Sequence, residues 1–310
     1  MICEHFCEQQ IFVHCAKSSN FAYKNNKIKL FELMKRICVI HYLSLFLLAL
    51  CSHVPSVAQS DTAVMRISYD ARFKTCVERP AMKDEMELLI GNKWSKFYSS
   101  ANIRQQHVLD SVVQATGGQL QQALAASTRM RGSGRLGQKY MVMKNYPADG
   151  KLTYTLNLHG FALKSEENMP AFDWQLADGD SIIAEYHCNK ARTKFRGQTW
   201  TVWYAPDIAV SDGPWKLCGL PGLIMKAETD NGCFSFVCTA VRKGRGESIT
   251  MEKTKYKSVE PKELQKITEM EITDPVGLMT RLTGLAPSVS KGRTKQRKVT
   301  PVLIEDNDCE

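Results

Sequence analysis

Residues 211 to 225 read Ser-Asp-Gly-Pro-Trp-Lys-Leu-Cys-Gly-Leu-Pro-Gly-Leu-Ile-Met, a stretch that constrains the fold around it. Glycines and prolines place turns at fixed positions: Gly213, Pro214, Gly219, Pro221 and Gly222. The residues between them are too apolar for a solvated linker: Leu217, Leu220, Leu223 and Ile224. We therefore expect a rigid, buried or half-buried loop with a structural role, and we call residues 211–225 the glycine-proline segment.

Strands are expected on both sides of this segment. The runs Thr193–Ala205 before it and Leu223–Thr229 after it are rich in the β-branched and aromatic residues that favour strands. Asp230-Asn231-Gly232 is typical of a hairpin turn, and the apolar run Cys233–Arg242 follows it. The glycine-proline segment is therefore expected to connect two strands of a sheet.

Similar runs recur along the rest of the chain. They predict further short strands over Val64–Phe73, Met82–Leu89, Lys93–Ser99, Tyr140–Asn145, Leu152–Leu158, Phe172–Leu176 and Ser181–Asn189. Asp149-Gly150 predicts a second hairpin turn. Many short strands with few helices favour one antiparallel domain.

Helical spacing appears in two places. Ile103–Thr128 repeats apolar residues at helical intervals and is broken by Gly117-Gly118, which predicts an insert of two short amphipathic helices. Near the end, Pro261–Ile272 and Val276–Leu285 predict two helices, with Asp274-Pro275 as the start of the second. We expect a mainly β (α+β) fold: a single antiparallel, strongly curved sheet or half-barrel with a helical insert and C-terminal helices. The curvature rests on analogy with envelope lipid carriers.

The N-terminal part carries an export pattern. Two basic residues, an apolar run and small residues ending at Ala58 follow one another over residues 34–58, in the order of a secretory signal peptide. The apolar run is shorter than the roughly 17 to 25 residues that span a bilayer, so no stable transmembrane anchor is expected. A lipid anchor at Cys51 is the weaker alternative, because Leu50 is larger than the small residue that precedes a lipidated cysteine.

These features divide the chain into four parts. Residues 1–33 show no targeting pattern, and we expect them to be an extension created by a start codon assigned too early, with translation beginning at Met34. Cleavage after Ala58 would leave a β-rich domain over 59–285 and a basic, disordered tail over 286–310. We expect the protein in the periplasm or outer cell envelope, or released from the cell.

The chain has a formal net charge of +9, and part of the excess lies in that tail. Its basic residues fall close together: Lys291, Arg293, Lys295, Arg297 and Lys298. Because no aromatic residues are interleaved with them, a solvated tail is favoured over a nucleic-acid contact. Six cysteines follow the cleavage site, which permits up to three disulfides in an oxidising compartment: Cys76, Cys188, Cys218, Cys233, Cys238 and Cys309.

Several further motifs accompany the glycine-proline segment along the chain. They are Leu88-Leu89-Ile90-Gly91, Ser95–Ser99, Lys144-Asn145-Tyr146, Gly150–Tyr154, Trp174, Tyr186–Ala191, Phe195-Arg196-Gly197, Trp203–Ile208 and Gly213–Lys216. Together with Gly219–Ile224 they make the chain similar to the GLPGLI family, exported proteins of Bacteroidota whose function is uncharacterised. The resemblance covers about Met65–Thr254, and Glu185 departs from it by standing where the family usually has glycine. It implies export and implies no nucleophile, metal ligand or cofactor.

An aromatic cluster beside the segment is the candidate ligand-binding site: Trp200, Trp203, Tyr204 and Trp215. Aromatic side chains line apolar cavities and peptide grooves. Trp200 and Trp203 lie on opposite faces of one strand, so at least one faces away from the main core. Polar groups could come from Arg196, Asp207 and Asp212, and core packing is the alternative explanation for the aromatics.

Catalytic and cofactor motifs are weak. Residues 132–137 satisfy GxGxxG but lack the surrounding βαβ unit, so we expect a flexible loop there. His107, His159 and His187 are dispersed, which disfavours a metal site. His187 and Cys188 point to opposite faces of a strand and cannot form a dyad. No catalytic residue, metal or cofactor is expected.

The sequence therefore predicts an exported, non-enzymatic envelope protein that binds or carries an apolar small molecule or peptide near 200–224. The first alternative is an envelope hydrolase or peptidase whose site assembles from distant residues such as His159, His187 and Asp207. The second is a structural partner of an outer-membrane complex, docked through edge strands or exposed aromatics.

Overall fold

The computed structural model describes residues 35–36, 60–117, 125, 137–284 and 299–306. The chain divides into two units, Met1–Gln59 and Ser60–Glu310, and all the elements below belong to the second. The expected extension over 1–33, nearly all of the expected signal peptide including Ala58, and most of the glycine-rich loop over 132–137 lie outside the described residues.

Strands dominate the described residues. They are β1 (Asp61–Thr62), β2 (Met65–Phe73), β3 (Met82–Ile90), β4 (Ser95–Ser99), β5 (Tyr140–Lys144), β6 (Lys151–Leu158), β7 (Phe161–Asn168), β8 (Gln175–Ile183), β9 (Tyr186–Phe195), β10 (Gln198–Ala205), β11 (Leu223–Thr229), β12 (Phe234–Lys243), β13 (Ser248–Ile249) and β14 (Lys257–Ser258). The helices of the described part are α1 (Ser100–Ala115), α2 (Pro261–Thr273) and α3 (Pro275–Thr283). The mainly β prediction is confirmed.

Twelve strands form one sheet in the order β14-β7-β6-β5-β4-β3-β2-β12-β11-β10-β9-β8, and β1 pairs with β13 in a separate two-stranded sheet. The strand β14 runs parallel to its neighbour β7, and the other pairs of described strands are antiparallel. The strands β2 to β7 and β8 to β12 are two runs of antiparallel neighbours, and β12 returns to pair with β2 along nine residue pairs. This long pairing joins the two halves of the sheet.

The sheet is open and not strongly curved, so the half-barrel prediction is wrong. A sheet curls when it has to bury an apolar face against itself, and here other elements cover that face. The covering residues belong to the connection between β10 and β11 and to the two C-terminal helices: Ile208, Trp215, Leu217, Leu220, Leu264, Ile267 and Leu278. We call the face beneath them the inner face.

The opposite, outer face is covered over part of its area by a smaller cluster. Its members are Ala63, Leu89, Trp94, Met141, Met143 and Ile249. They come from β3, β5 and β13, from the residue that follows β1, and from the turn between β3 and β4. The outer face of the strands β2 and β9 to β12 carries charged and polar side chains instead.

Two hairpins divide runs that the sequence analysis treated as single strands. The run Thr193–Ala205 is split after Phe195, where Arg196 and Gly197 turn the chain with φ angles of 43° and 75°. The turn contains one glycine and no flanking proline, which is a weak turn signal. The sequence pattern therefore predicted one continuous strand here.

The second split falls within the run Ser181–Asn189. Ala184 and Glu185 form its turn with φ angles of 47° and 73°, a region that L residues seldom occupy. Glycine adopts these angles without strain. A glycine would therefore be less strained than Glu185 at this position of the turn. The strand predicted over Phe172–Leu176 begins later, at Gln175, and β7 was not predicted at all.

The helices follow the prediction closely. The first helix of the insert begins at Ser100 rather than at Ile103, because Ser99 caps it by accepting a hydrogen bond from the amide of Asn102. The expected second helix of the insert lies almost entirely outside the described residues. Asp274 caps the last helix through the amide of Gly277, and Pro275 occupies its first turn, as predicted.

The five described cysteines are free, so none of the disulfides that the sequence permits is formed among them: Cys76, Cys188, Cys218, Cys233 and Cys238. All but Cys233 are buried, and buried thiols pack as small apolar groups. Burial raises the pKa of the Cys238 thiol to about 12, which keeps it protonated. Cys309 lies outside the described residues.

Residues 299–306, which we call the C-terminal segment, lie against the domain. An isolated antiparallel bridge joins this segment to Cys76. Val302 and Ile304 pack against the main core. The expectation of a solvated tail over 286–310 is therefore wrong for these eight residues, because they carry apolar side chains that the basic stretch before them lacks.

Candidate functional site

The glycine-proline segment is held in place by a buried lysine. Lys144, at the end of β5, is 1% exposed and reaches the segment with its Nζ. It forms an ion pair with Asp212 and donates hydrogen bonds to the carbonyl oxygens of Gly213 at 2.6 Å and Leu217 at 3.2 Å. One ammonium group therefore satisfies three acceptors of a turn-rich segment.

Two aromatic side chains fix the segment at other points. Tyr69 on β2 donates its hydroxyl to the carbonyl of Ile224 at 2.8 Å. Trp174, just before β8, donates its Nε1–H to the carbonyl of Cys218 at 2.9 Å. Because side chains from three separate strand regions hold the segment, its structural role is well explained by the contacts it makes.

Three of the four predicted ligand-binding aromatics belong to the core. Trp200 and Trp215 are 0% exposed and Tyr204 is 4% exposed. The rings of Trp200 and Trp215 stack with their centroids 5.6 Å apart, and Trp200 also stacks on Phe236 at 6.3 Å. These residues therefore line the packed interior beneath the glycine-proline segment, where the core-packing explanation holds.

Trp203 differs, because it lies on the outer face. It is half-buried and sits between two lysines, with Lys226 Nζ 4.2 Å and Lys190 Nζ 5.7 Å from its ring centroid. Both lysines are its direct cross-strand partners, on β11 and β9. The structure thus separates Trp203 from the other three aromatics, as strand alternation requires for Trp200 and Trp203.

Cross-strand pairing places two rows of polar residues on the outer face. The row that starts at Trp203 continues through Lys226, Val237, Asp70 and Glu85. The neighbouring row consists of Arg192, Thr201, Glu228, Ser235, Arg72 and Lys83. Side chains along such rows are neighbours, so residues far apart in sequence form one surface here.

Two cavities lie along these rows. The first has a volume of about 570 Å³ and is lined by residues of β2, β3, α1 and β12, among them Arg104 from the helix. The second has a volume of about 530 Å³ and is lined by residues of β10, β11, β12 and β2. Arg72 and Ser235 line both cavities. The two cavities therefore form one continuous depression, which we call the outer groove.

Charges in the outer groove are only partly paired. Arg104 pairs with Glu85 at 2.8 Å, and Lys226 pairs with Glu228 at 2.9 Å. Arg72 and Lys83 have no ion pair in the part of the chain that the structure describes. Two neighbouring cations are therefore open to an anionic group of a ligand in the middle of the groove.

Asp84 anchors the wall of the outer groove. Its carboxylate accepts hydrogen bonds from Ser99 Oγ at 3.0 Å and from the amide nitrogens of Gln138 and Glu85 at 2.6 and 2.8 Å. Burial raises the pKa of the Asp84 carboxyl, and these hydrogen bonds oppose the shift without cancelling it. Because it joins the start of α1 to the start of β5, Asp84 has a structural role.

A second polar cluster lies beside the glycine-proline segment and is buried. Lys216 Nζ contacts Glu167 at 2.6 Å and Glu305 at 2.8 Å, and Arg196 contacts the same two carboxylates at 2.5 and 2.7 Å. The exposed fractions of the side chains are 3% for Lys216, 12% for Arg196 and Glu167, and 16% for Glu305. Lys216 and Arg196 thus share two carboxylates, and we call these four residues the ion cluster.

The ion cluster predicts an acid-sensitive contribution to stability. Burial raises the pKa of the Glu167 carboxyl, but Lys216 and Arg196 outweigh this and hold it below its ordinary value of 4.5. A carboxyl with a lowered folded pKa stabilises the fold above its unfolded pKa, and this stabilisation is lost as pH falls through the folded pKa. We expect the unfolding free energy of the wild type to fall more steeply below pH 4.5 than that of Glu167→Gln. Urea unfolding from pH 6 to 3 would show this, and parallel curves would contradict it.

The residues named for a hydrolase, His159, His187 and Asp207, make no hydrogen bond with one another in the described part of the chain. His159 lies in the turn between β6 and β7 and bonds Glu271 on α2 at 2.7 Å. His187 is exposed on β9, and no hydrogen bond or ion pair of the described residues joins it to His159 or Asp207. Within the same residues, no group of three histidine, cysteine or acidic side chains could hold a metal ion.

In the described part of the chain, no helix has both the length and the apolarity to cross a bilayer.

Of the polar groups expected beside the aromatics, Arg196 belongs to the ion cluster and Asp212 pairs with Lys144. Sequence reasoning missed Lys144, Glu167 and the outer groove. The alternation of charged residues along β2 was a signal for the groove.

Comparisons with known proteins give a short family match. A model described as "Protein of unknown function (Porph_ging)" matches residues 193–226, which span the end of β9, β10 and the glycine-proline segment. The family is uncharacterised and supplies no activity. The comparison with curated proteins found no match.

Solved structures are similar only at a coarse level. PNGF-II in its P21 crystal form matches with a TM-score of 0.42 and 14% identity, covering 67% of this chain and 33% of that one. Its C2 form gives 0.41 and 14%, with 66% and 31% covered. A DUF1329 family protein from Desulfovibrio piger ATCC 29098 gives 0.19 and 7%, with 62% and 88% covered. The chain spans about one third of the length of PNGF-II, and these scores carry no argument about function.

Proposed function

We propose that this protein is an exported, non-enzymatic binding protein of the cell envelope, and that its ligand is a peptide bound in the outer groove. The observation that carries the proposal is the outer groove, in which Arg72 and Lys83 have no ion pair among the described residues. Trp203 lies at one end of a cross-strand row whose members Val237, Asp70 and Glu85 line this groove. An aromatic ring next to charged side chains on an open surface is a common arrangement in peptide recognition.

The surroundings favour a peptide over an apolar small molecule. Carriers of apolar molecules use closed and mostly apolar cavities. The outer groove is open and lined largely by charged and hydroxyl side chains. Neither cavity of the outer groove is lined by Trp200, Tyr204 or Trp215, whose rings belong to the packed core.

Two cations of the groove, Arg72 and Lys83, can receive a carboxylate of the ligand, because they have no ion pair among the described residues. The other charged residues of the lining are Arg104 and five acids: Asp70, Asp84, Glu85, Glu228 and Asp230. Arg72 lies centrally, next to Lys83 on β3, and its planar guanidinium can bind a carboxylate through two parallel hydrogen bonds. Trp203 would then contact an apolar side chain of the same peptide.

Peptide capture by immobilised full-length protein tests this function. A soluble tryptic digest of envelope proteins is passed over the wild type, and the retained peptides are identified by mass spectrometry. We expect retained peptides to be rich in Asp and Glu, and we expect Arg72→Ala with Trp203→Ala to lower their yield at least tenfold. Lys243→Ala, an exposed cation at the far end of β12, is the matched control and should retain the wild-type yield. Equal capture by the double variant would contradict the proposal.

A structural partnership in the envelope is the second candidate, and one observation favours it. The strand β8 is at one end of the large sheet and exposes two large apolar side chains, Leu176 at 72% and Ile182 at 66%. Exposed edge strands pair readily with other chains. Pull-down from native membranes with wild type and Leu176→Lys would support this role if a partner protein is lost with the variant.

A further inference from the structure

The C-terminal segment is bound to the domain as an extended peptide. The amide of Val302 donates to the carbonyl of Thr75 at 2.9 Å, and the amide of Val77 donates to the carbonyl of Thr300 at 3.0 Å. Gln198 Nε2 donates to the carbonyl of Leu303 at 2.7 Å. These bonds involve the backbone of the segment, so they hold it without depending on its side chains.

Two kinds of side chain complete the contact. Val302 and Ile304 pack against the main core, and Glu305 enters the ion cluster. Its carboxylate oxygens lie 2.8 and 2.9 Å from Lys216 Nζ, and one lies 2.7 Å from Arg196 Nη1. The pattern recognised is therefore apolar, any residue, apolar, acidic.

Glu305, like Glu167, contacts both cations of the ion cluster, Lys216 and Arg196. Removing Glu305 would take one anion away from two buried cations, which is destabilising. Aromatic rings surround the cations, with Tyr154 5.2 Å and Trp215 5.7 Å from Lys216 Nζ. Such an enclosed, preorganised pair of cations selects for an anionic group.

Space beside the C-terminal segment extends the same site. A cavity of about 530 Å³ is lined by the β9–β10 hairpin and residues 170 and 171, and it includes Arg196 and Gln198. Both residues also bind the C-terminal segment, and the amide of Asp306 donates to the carbonyl of Arg196 at 2.8 Å. A longer peptide could therefore continue from the segment's position into this cavity.

We propose that these elements form a recognition groove for an acidic, extended peptide of another protein, and that the C-terminal segment is its tethered occupant. The groove is separate from the outer groove and uses Lys216, Arg196 and Gln198, so it stands whether or not peptides bind beside Trp203. The partner shares the chemistry of the segment: two apolar side chains in alternation followed by a carboxylate.

The tether determines how the site is tested. Residues 285–298 connect the last helix to the C-terminal segment and reach at most about 50 Å when extended. A ligand joined by so short a connection acts at a local concentration on the order of millimolar. A free peptide therefore competes poorly with the wild type and should bind more readily when the segment's own carboxylate is removed.

Fluorescence anisotropy with a synthetic peptide tests the proposal. The probe is a fluorescein-labelled peptide with the sequence of residues 299–306, and the matched control is the same peptide with glutamine in place of Glu305. We expect the full-length Glu305→Gln variant to bind the glutamate peptide at least ten times more tightly than the glutamine peptide. Circular dichroism checks that the variant is folded.

If that variant does not fold, the same anisotropy measurement is made with the wild-type protein. It should show the same preference for the glutamate peptide, at concentrations raised by competition from the tethered segment. Equal affinity for the two peptides, or no saturable binding of either at millimolar concentration, would overturn the proposal.

Discussion

A Gly222→Val variant is expected to lose about 3 kcal/mol or more of unfolding free energy, a large part of the stability of a domain of this size. A Cβ atom at Gly222 would lie 2.3 Å from the carbonyl oxygen of Ala205 and 2.7 Å from its carbonyl carbon. These are backbone atoms at the end of β10, so no side-chain rotation can relieve the contact. The φ angle of 157° at Gly222 adds strain for any residue with a side chain.

Thermal and urea unfolding of the purified variant would measure this loss. Gly232→Val is the matched control, because Gly232 also has a positive φ, of 64°, but has no atom within 4 Å of its Cβ position. The control should lose less stability than Gly222→Val. We also expect Gly222→Val to lower secretion yield before it affects peptide capture, and an unchanged melting temperature with selective loss of capture would contradict a structural role for this glycine.

Lys144→Met is expected to destabilise the protein by about 3 to 5 kcal/mol, because it leaves a buried carboxylate without its cation. Asp212 would lose its ion-pair partner, and the carbonyls of Gly213 and Leu217 would lose their shared donor. The glycine-proline segment should loosen first, since Lys144 is its main side-chain anchor. Urea unfolding measures the loss, and hydrogen exchange at 211–225 locates it.

The double variant Lys144→Met with Asp212→Leu separates charge from packing. It removes both charges, so its stability should lie above that of Lys144→Met alone. If the single and double variants are equally stable, the ion pair is not what the lysine contributes. Lys243→Met, an exposed replacement of the same kind, should remain within about 0.5 kcal/mol of wild type.

Local periodicity predicted those parts of the fold that depend on local sequence. The strand Leu223–Thr229 has the predicted bounds, and the cap Asp274 begins the last helix as expected. Alternation of apolar and polar residues predicts that a segment is a strand and separates its two faces, so such strands can be predicted from sequence. The hairpin at Ala184 could not be predicted from the sequence, because its turn contains no glycine. Its positive φ angles accompany the pairing of β8 with β9, which the local sequence does not show.

The same sequence signals did not predict every strand of the sheet or its open form. The strand β7, Phe161–Asn168, carries mostly polar and charged residues, and it is held in the sheet by eight residue pairs with β6. The open form of the sheet follows from the cover that the glycine-proline segment and the C-terminal helices provide. Neither the pairing partner nor the cover can be inferred from a period of two residues.

The candidate site was predictable only in part. Sequence alternation separates Trp200 from Trp203, but it does not show which face receives the cover. Lys144 and Asp212 are 68 positions apart, and Lys216 and Glu305 are 89 positions apart. The outer groove combines side chains from five strands and a helix. Such sites depend on strand order, which no motif in this chain encodes.

Site-specific photocrosslinking tests the proposed binding site most directly. A benzophenone amino acid is placed at Ser235, in the middle of the outer groove, or at Ser211, an exposed position of the glycine-proline segment. Each full-length variant is mixed with the peptides that the wild type captures and is then irradiated. We predict crosslinked peptide at position 235 and none at position 211. Crosslinking at 211 with none at 235 would contradict a ligand on the outer face and would place it beside the glycine-proline segment instead.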